Sequence, residues 1–215
     1  MRVESGNNNN ESVMKWFDEE VGEGENGILV YPNLQIFRQI YTTYVKDQLS
    51  KAGDEEDDDN NRRNEQLKPR IILIATFYET VDSVKHHLSA IGVENVQRHI
   101  DNGSLVIVDA FRSYFPDING MKKLVASLSQ RARKEGRVGV SAIVDMGFFF
   151  LFGGDGRATE LINYEASLPA KTEGGNVRGF SCYHAGNYNT LKDNQKEEIT
   201  QGQKKKLLEV SESAS

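Results

Sequence analysis

Two rhythms of apolar residues alternate along the chain. Short, nearly continuous apolar runs are separated by longer stretches in which apolar residues return every three or four positions. The first rhythm suits strands buried on both faces, and the second suits helices with one buried stripe. Residues 28–31 form such a run; after Pro32, the residues Leu34, Phe37, Ile40, Tyr41, Tyr44, Val45 and Leu49 follow at helical spacing, which predicts strand, tight turn and helix. The unit recurs as a strand over 71–77 and a helix with the stripe Val81, Val84, Leu88 and Ile91, closed by Gly92 as a C-cap. A short helical piece over 94–100 leads through Asn102-Gly103 into a strand over 105–109. Ile118, Met121, Leu124, Val125 and Leu128 mark another helix ending at Gly136, and 138–145 reads as a fourth strand. A helix over 158–168, a fifth strand over 179–183 and a polar, lysine-rich final helix over 193–210 complete the prediction. Strands alternating with helices imply a three-layer α/β fold, with a mostly parallel central sheet and helices on both faces.

A chain of 215 residues, 38% hydrophobic and 27% charged, supports one well-packed domain. That body is placed at 27–192, preceded by a disordered or loosely packed segment over 1–26 and followed by the C-terminal helix and tail over 193–215. The four-asparagine run within 1–12 argues for disorder there, while 13–17 has the apolar content for a short helical turn. Inside the body, 50–69 carries the acidic run 54–59 and is expected to be an exposed, mobile insertion that adds nothing to the core.

Charge and cysteine content narrow the partners. The formal net charge of −6, from 26 basic and 32 acidic residues, offers no broad basic footprint, so no direct nucleic-acid partner is expected. The single cysteine, Cys182, has no internal disulfide partner, and no stretch approaches the roughly 20 apolar residues of a membrane span. The first ten residues lack the basic segment and apolar run of a secretory signal. A cytoplasmic protein with no membrane association follows.

In open parallel sheets, ligands bind beyond the carboxyl ends of the strands. The residues placed there are Tyr31, Tyr78, Glu79, Asp109, Arg112, Asp145, Phe148, Tyr183 and His184. The runs ending in Asp109 and Asp145 resemble the Mg²⁺-holding strand of phosphate-loop enzymes, although any strand emerging into solvent can end in aspartate. The phosphate loop itself is missing. After the first strand the chain reads Tyr31-Pro32-Asn33-Leu34, too short and bulky to surround a phosphate, and Pro32 removes one N–H donor. Gly153-Gly154-Asp155-Gly156 has no accompanying lysine and reads as a loop with Asp155 as an N-cap. The histidines His86, His87, His99 and His184 make no metal-ligand spacing with Cys182, so no metal, no cofactor and no catalytic residue is assigned.

Glu165 falls on the apolar side of its helix, four residues after Leu161 and three before Leu168. A carboxylate there must be paired, either as an anchor to an N–H, arginine or tyrosine or as a ligand contact. Tyr164 beside it is positioned to close over the same cleft. The run Phe148-Phe149-Phe150-Leu151-Phe152 is read first as core, and second as the lining of an apolar pocket or partner surface.

The order of these segments resembles the MEDS family, the methanogen and methylotroph DcmR-type sensory domain, over approximately 27–190. The resemblance rests on the opening strand and helix, on Gly103-Ser104-Leu105-Val106-Ile107-Val108-Asp109, on Asn163-Tyr164-Glu165-Ala166-Ser167-Leu168 and on Ser181-Cys182-Tyr183-His184. It implies a RecA- or KaiC-like fold without nucleotide hydrolysis, sensing a small organic molecule and coupled to a separate signalling or transcriptional protein. The chain departs from the family pattern at Ile28 and Tyr31-Pro32, in the acidic insertion and at His184. A non-catalytic sensory domain is therefore expected, binding a small organic ligand or a protein partner at the carboxyl ends of the strands. The alternatives are a divergent nucleotide-binding protein using Asp109 and Asp145, and a scaffold or homo-oligomer without a small ligand.

Overall fold

The computed structural model describes residues 2–4, 9–50, 68–114, 117, 119–151, 155–168, 176–201 and 205–211. The chain opens with strand β1 (Arg2–Glu4) and helix α1 (Asn9–Lys15), which continues into a π-helical turn, Trp16–Glu20. Strand β2 (Asn26–Tyr31) leads directly into helix α2 (Leu34–Ser50). Then come β3 (Ile71–Thr76), α3 (Val81–Ala90), α4 (Val96–Asp101), β4 (Leu105–Asp109) and α5 (Ala110–Tyr114). Helix α6 (Gly120–Lys134), strand β5 (Val140–Asp145), a 3₁₀ turn over Gly147–Phe150 and helix α7 (Asp155–Ala166) follow. The last elements are β6 (Val177–His184), α8 (Ala185–Tyr188), α9 (Asp193–Gln201) and β7 (Lys206–Ser211).

The strands form one seven-stranded sheet in the order β1-β7-β2-β6-β5-β3-β4, and every adjacent pair is parallel. Helices cover both faces, as the alternation of strand and helix requires, and the arrangement is that of a three-layer RecA-like α/β fold. Strands β3 and β5 are buried along their whole length, which explains why they are apolar apart from Ser141 and the terminal Thr76 and Asp145. One core packs Trp16, Phe17, Phe37, Tyr41 and Tyr44 against Leu29, Ile72, Ile143 and Phe180 of the sheet. The other packs Met121, Leu128, Phe148, Phe149, Leu161 and Tyr164 against Val30, Leu73, Ala142 and Tyr183. Among the described residues no helix is long and apolar enough to cross a membrane.

Two boundaries differ from the sequence reading. The terminal helix expected over 193–210 stops at Gln201, and Lys206–Ser211 instead inserts between β1 and β2. Its buried positions, Leu208 and Val210, alternate with partly exposed ones, a strand period compressed into six residues. The segment over 1–26, expected to be loose, provides an edge strand and buries Val13, Trp16, Phe17 and Val21. Its apolar residues are too few to show periodicity, yet they have a ready-made sheet face to pack on. Of the acidic insertion, 51–67 lies outside the described residues. After it, Lys68 bridges to Arg137, with its N–H 2.9 Å from the Gly136 carbonyl.

Candidate functional site

At the carboxyl ends of the strands the chain has filled its own crevice. Tyr31 ends β2, pairs with His184 of β6, and is stacked on Phe37 at a centroid distance of 4.3 Å. His184 meets the edges of Tyr31 and Tyr78, at 5.6 Å and 6.1 Å, while its Nδ1 accepts the Gly186 N–H at 3.1 Å and caps α8. The Tyr78 hydroxyl accepts a hydrogen bond from the Asn187 side-chain amide, and its ring meets Phe77 at 4.8 Å. At the turn from β2 to α2 the chain caps its own helix. Asn33 Oδ1 accepts the Ile36 N–H at 2.9 Å, occupying one donor that a phosphate would need, and its carbonyl accepts the Phe37 N–H at 3.1 Å in the first bond of the helix.

The strand-end carboxylates are likewise engaged within the protein. Glu79, whose side chain is buried, accepts from Arg38 Nε at 2.8 Å and from the hydroxyls of Tyr41 and Ser83, both at 3.2 Å, with His87 Nε2 at 3.3 Å. Asp109 caps α5 through the Arg112 N–H at 2.9 Å, and the Arg112 guanidinium approaches it at 3.8 Å on the surface. Asp145 is buried and accepts the Gly147 N–H at 3.0 Å and the Tyr78 N–H at 3.4 Å. Asp145 and Asp109 thus do what strand-ending aspartates commonly do, satisfying the first N–H groups of the following turn. The thiol of Cys182 is fully buried, and burial pushes it well up, away from nucleophilic use. No group of three or more metal-ligating side chains exists among the described residues.

Burial pushes the Asp145 carboxyl up to about 6, against the opposing pull of N–H groups from Gly147, Tyr78 and Phe77. Between the ordinary carboxylate range and about 6 the folded chain keeps the proton while the unfolded chain releases it. Stability from this group therefore falls as pH rises through that window, and above it the ionised carboxylate costs the fold on the order of 3 kcal/mol. Asp145→Asn should raise the unfolding free energy by about 2 kcal/mol near pH 8, and the gain should vanish near pH 4. Denaturant midpoints of both proteins across that range test this; a pH-independent difference would show that ionisation is not its source.

Glu165 and Tyr183 lie on the opposite face of the sheet. The Glu165 carboxylate is completely buried, paired with Lys205 Nζ and hydrogen-bonded by the Tyr183 hydroxyl, and Lys205 Nζ also reaches the Glu165 carbonyl at 3.1 Å. It is a structural anchor, one of the two roles expected for it, with a lysine as its charged partner. Phe148 is core: its ring lies 4.1 Å from that of Tyr114 and 4.2 Å from that of Phe149. Phe152 lies outside the described residues.

An open volume lies on this second face. A cleft of about 370 Å³ runs between α6 and α7 above β5 and β6. Its floor is made of Ala142 and Val144 from β5 and Val177, Gly179 and Ser181 from β6, and its walls include Met121, Val125, Tyr164 and Leu168. Small side chains on neighbouring strands leave space that α6 and α7 do not refill. Gly179 is needed for a second reason, because a Cβ there would stand 2.0 Å from Asn26 Oδ1, which crosses the end of the cleft. Among the described residues the lining contains one charged side chain, Lys122. Volume and apolar lining match those of small-molecule sites.

No protein-family model matches this chain, and no curated protein does. None of the ten residues assigned to a ligand site from the sequence lines the cleft. Tyr164, singled out there as a residue able to close over a cleft, does line it. The remaining signal was the alternation of small residues, Ala142 on one strand and Gly179 and Ser181 on another, which acquires meaning only once the two strands are neighbours.

Proposed function

We propose that this chain is a non-catalytic sensory domain that binds a small, largely apolar organic molecule in the cleft between α6 and α7 and passes its bound state to a separate protein. The cleft carries the reading: it is open, apolar, of ligand size and built on the rigid centre of the sheet. The strand-end crevice, where the sequence reading placed the ligand, supports it by contrast, since aromatic rings occupy that crevice and its carboxylates are held by the protein's own donors. The resemblance to the DcmR-type sensory domain points the same way, towards recognition of small organic compounds without hydrolysis of a nucleotide.

Saturation-transfer NMR with toluene and 1-octanol tests the proposal. Both probes should receive magnetisation from the wild-type protein, and competition should show that they share one site. Ala142→Leu and Ser181→Leu fill the cleft floor, so each should abolish transfer while holding the melting temperature within about 3 °C of wild type, because extra methyl groups entering a void are tolerated. Absence of transfer to either probe, or transfer untouched by both substitutions, would overturn the reading.

A further inference from the structure

The one charged side chain among the described residues of the cleft lining sits where an amphiphile would place its head. Lys122, on the first turn of α6, extends its ammonium across the mouth to the Ser167 hydroxyl at the end of α7 and lies 5.1 Å from the centre of the Tyr164 ring. All three residues line the cleft. Among the described residues Lys122 has no carboxylate partner, whereas its neighbour Lys123 is bound by Asp117 at 2.5 Å. Glu165, one position from Tyr164 in sequence, is turned away and consumed by Lys205 and Tyr183. Burial lowers the pKa of the Lys122 ammonium, an unfavourable state that an anion at the mouth would relieve.

We propose, building on the cleft reading above, that the ligand is an amphipathic monocarboxylate whose apolar tail lies on Ala142, Val144, Gly179 and Ser181 and whose carboxylate is held by Lys122 Nζ and the Ser167 hydroxyl. Charge complementarity selects this class. A neutral hydrocarbon would leave the ammonium with only a hydroxyl and a ring face, and a cationic amphiphile would place like charges together in a site of low dielectric. A charge-assisted bond to a carboxylate is about twice as strong as a neutral one, and no other described residue of the lining can supply it.

Octanoate and 1-octanol share an eight-carbon chain and differ in head group, so their affinities, measured by calorimetric or NMR titration of the full chain, decide the matter. Octanoate should bind about tenfold tighter than 1-octanol, equivalent to ~1.4 kcal/mol. Lys122→Met should remove that preference by weakening octanoate alone, and Lys122→Arg should retain most of it. Equal affinity for the two probes, or an equal loss of both in Lys122→Met, would overturn the carboxylate assignment while leaving the cleft as an apolar site. Failure of both probes to bind would overturn the cleft reading and this inference together. Lys122 is only partly buried, so its variants should fold with unchanged melting temperatures, which the same samples report.

Discussion

Glu165→Ala is expected to cost about 3–5 kcal/mol of folding free energy, more than the roughly 2–4 kcal/mol that loss of a buried hydrogen-bonded carboxylate alone would suggest. Glu165 and Lys205 have side chains 0% and 1% exposed, and the pair joins α7 to the residue immediately before β7. Truncating the carboxylate leaves an ammonium in a dry site with only the Glu165 backbone carbonyl, and it leaves the Tyr183 hydroxyl without its acceptor. Removing the whole pair is a different matter. Glu165→Leu combined with Lys205→Met should recover most of the loss, because well-packed apolar residues replace a buried ion pair at little net cost. Glu160, exposed on the same helix, serves as control, and Glu160→Ala should change stability by less than about 0.5 kcal/mol. Urea unfolding with comparison of midpoints at constant m-value provides the measurement. Equal, negligible effects at Glu165 and Glu160 would place Glu165 on the solvent side of α7.

Trp16→Ala should be comparably damaging, at about 3–5 kcal/mol, or on the order of 10 °C in Tm for a chain of this size. The indole is 1% exposed and packs against Phe17 and Phe180 at centroid distances of 5.2 Å and 5.8 Å. It rests directly on the backbone of β2 at Gly27, where an added Cβ would meet the ring at 2.6 Å. The missing side chain at Gly27 and the large one at Trp16 are therefore complementary, and truncating the indole opens a cavity that the rigid sheet does not close. Trp16→Phe should cost much less, since it keeps an aromatic body and removes an indole N–H that is buried without a hydrogen-bond partner among the described residues. Thermal unfolding followed by far-ultraviolet circular dichroism reports all three proteins, because Trp16 is the chain's single tryptophan and fluorescence is lost with it. A loss below about 1 kcal/mol in Trp16→Ala would show that the N-terminal segment is not part of the core, as its composition alone suggested.

Local sequence determined the alternation of strand and helix from β2 to β6, and with it the layered α/β class. Strands β3 and β5 are buried on both faces and therefore largely apolar, and β2 and β4 are apolar along most of their length, while α2, α3 and α6 carry their apolar residues on one stripe; both signals lie within one element and need no knowledge of its neighbours. The burial of Glu165 was legible for the same reason, as a helix-face position. Its partner was not, since Lys205 stands 40 residues away beside a strand whose period is too brief to read. Segments whose stability comes from a surface already built, β1, the Trp16 turn and β7, leave almost no local trace because their apolar residues are few and their partners distant in sequence. Tertiary structure alone decided the site. Whether the strand-end crevice is open depends on where the rings of Tyr31, Phe37, Tyr78 and His184 come to rest, and whether a cleft exists depends on Ala142 of β5 lying beside Gly179 of β6 beneath the gap between α6 and α7. Vacant volume belongs to a set of neighbours and not to any one of them, so no reading of the chain in order could have found it.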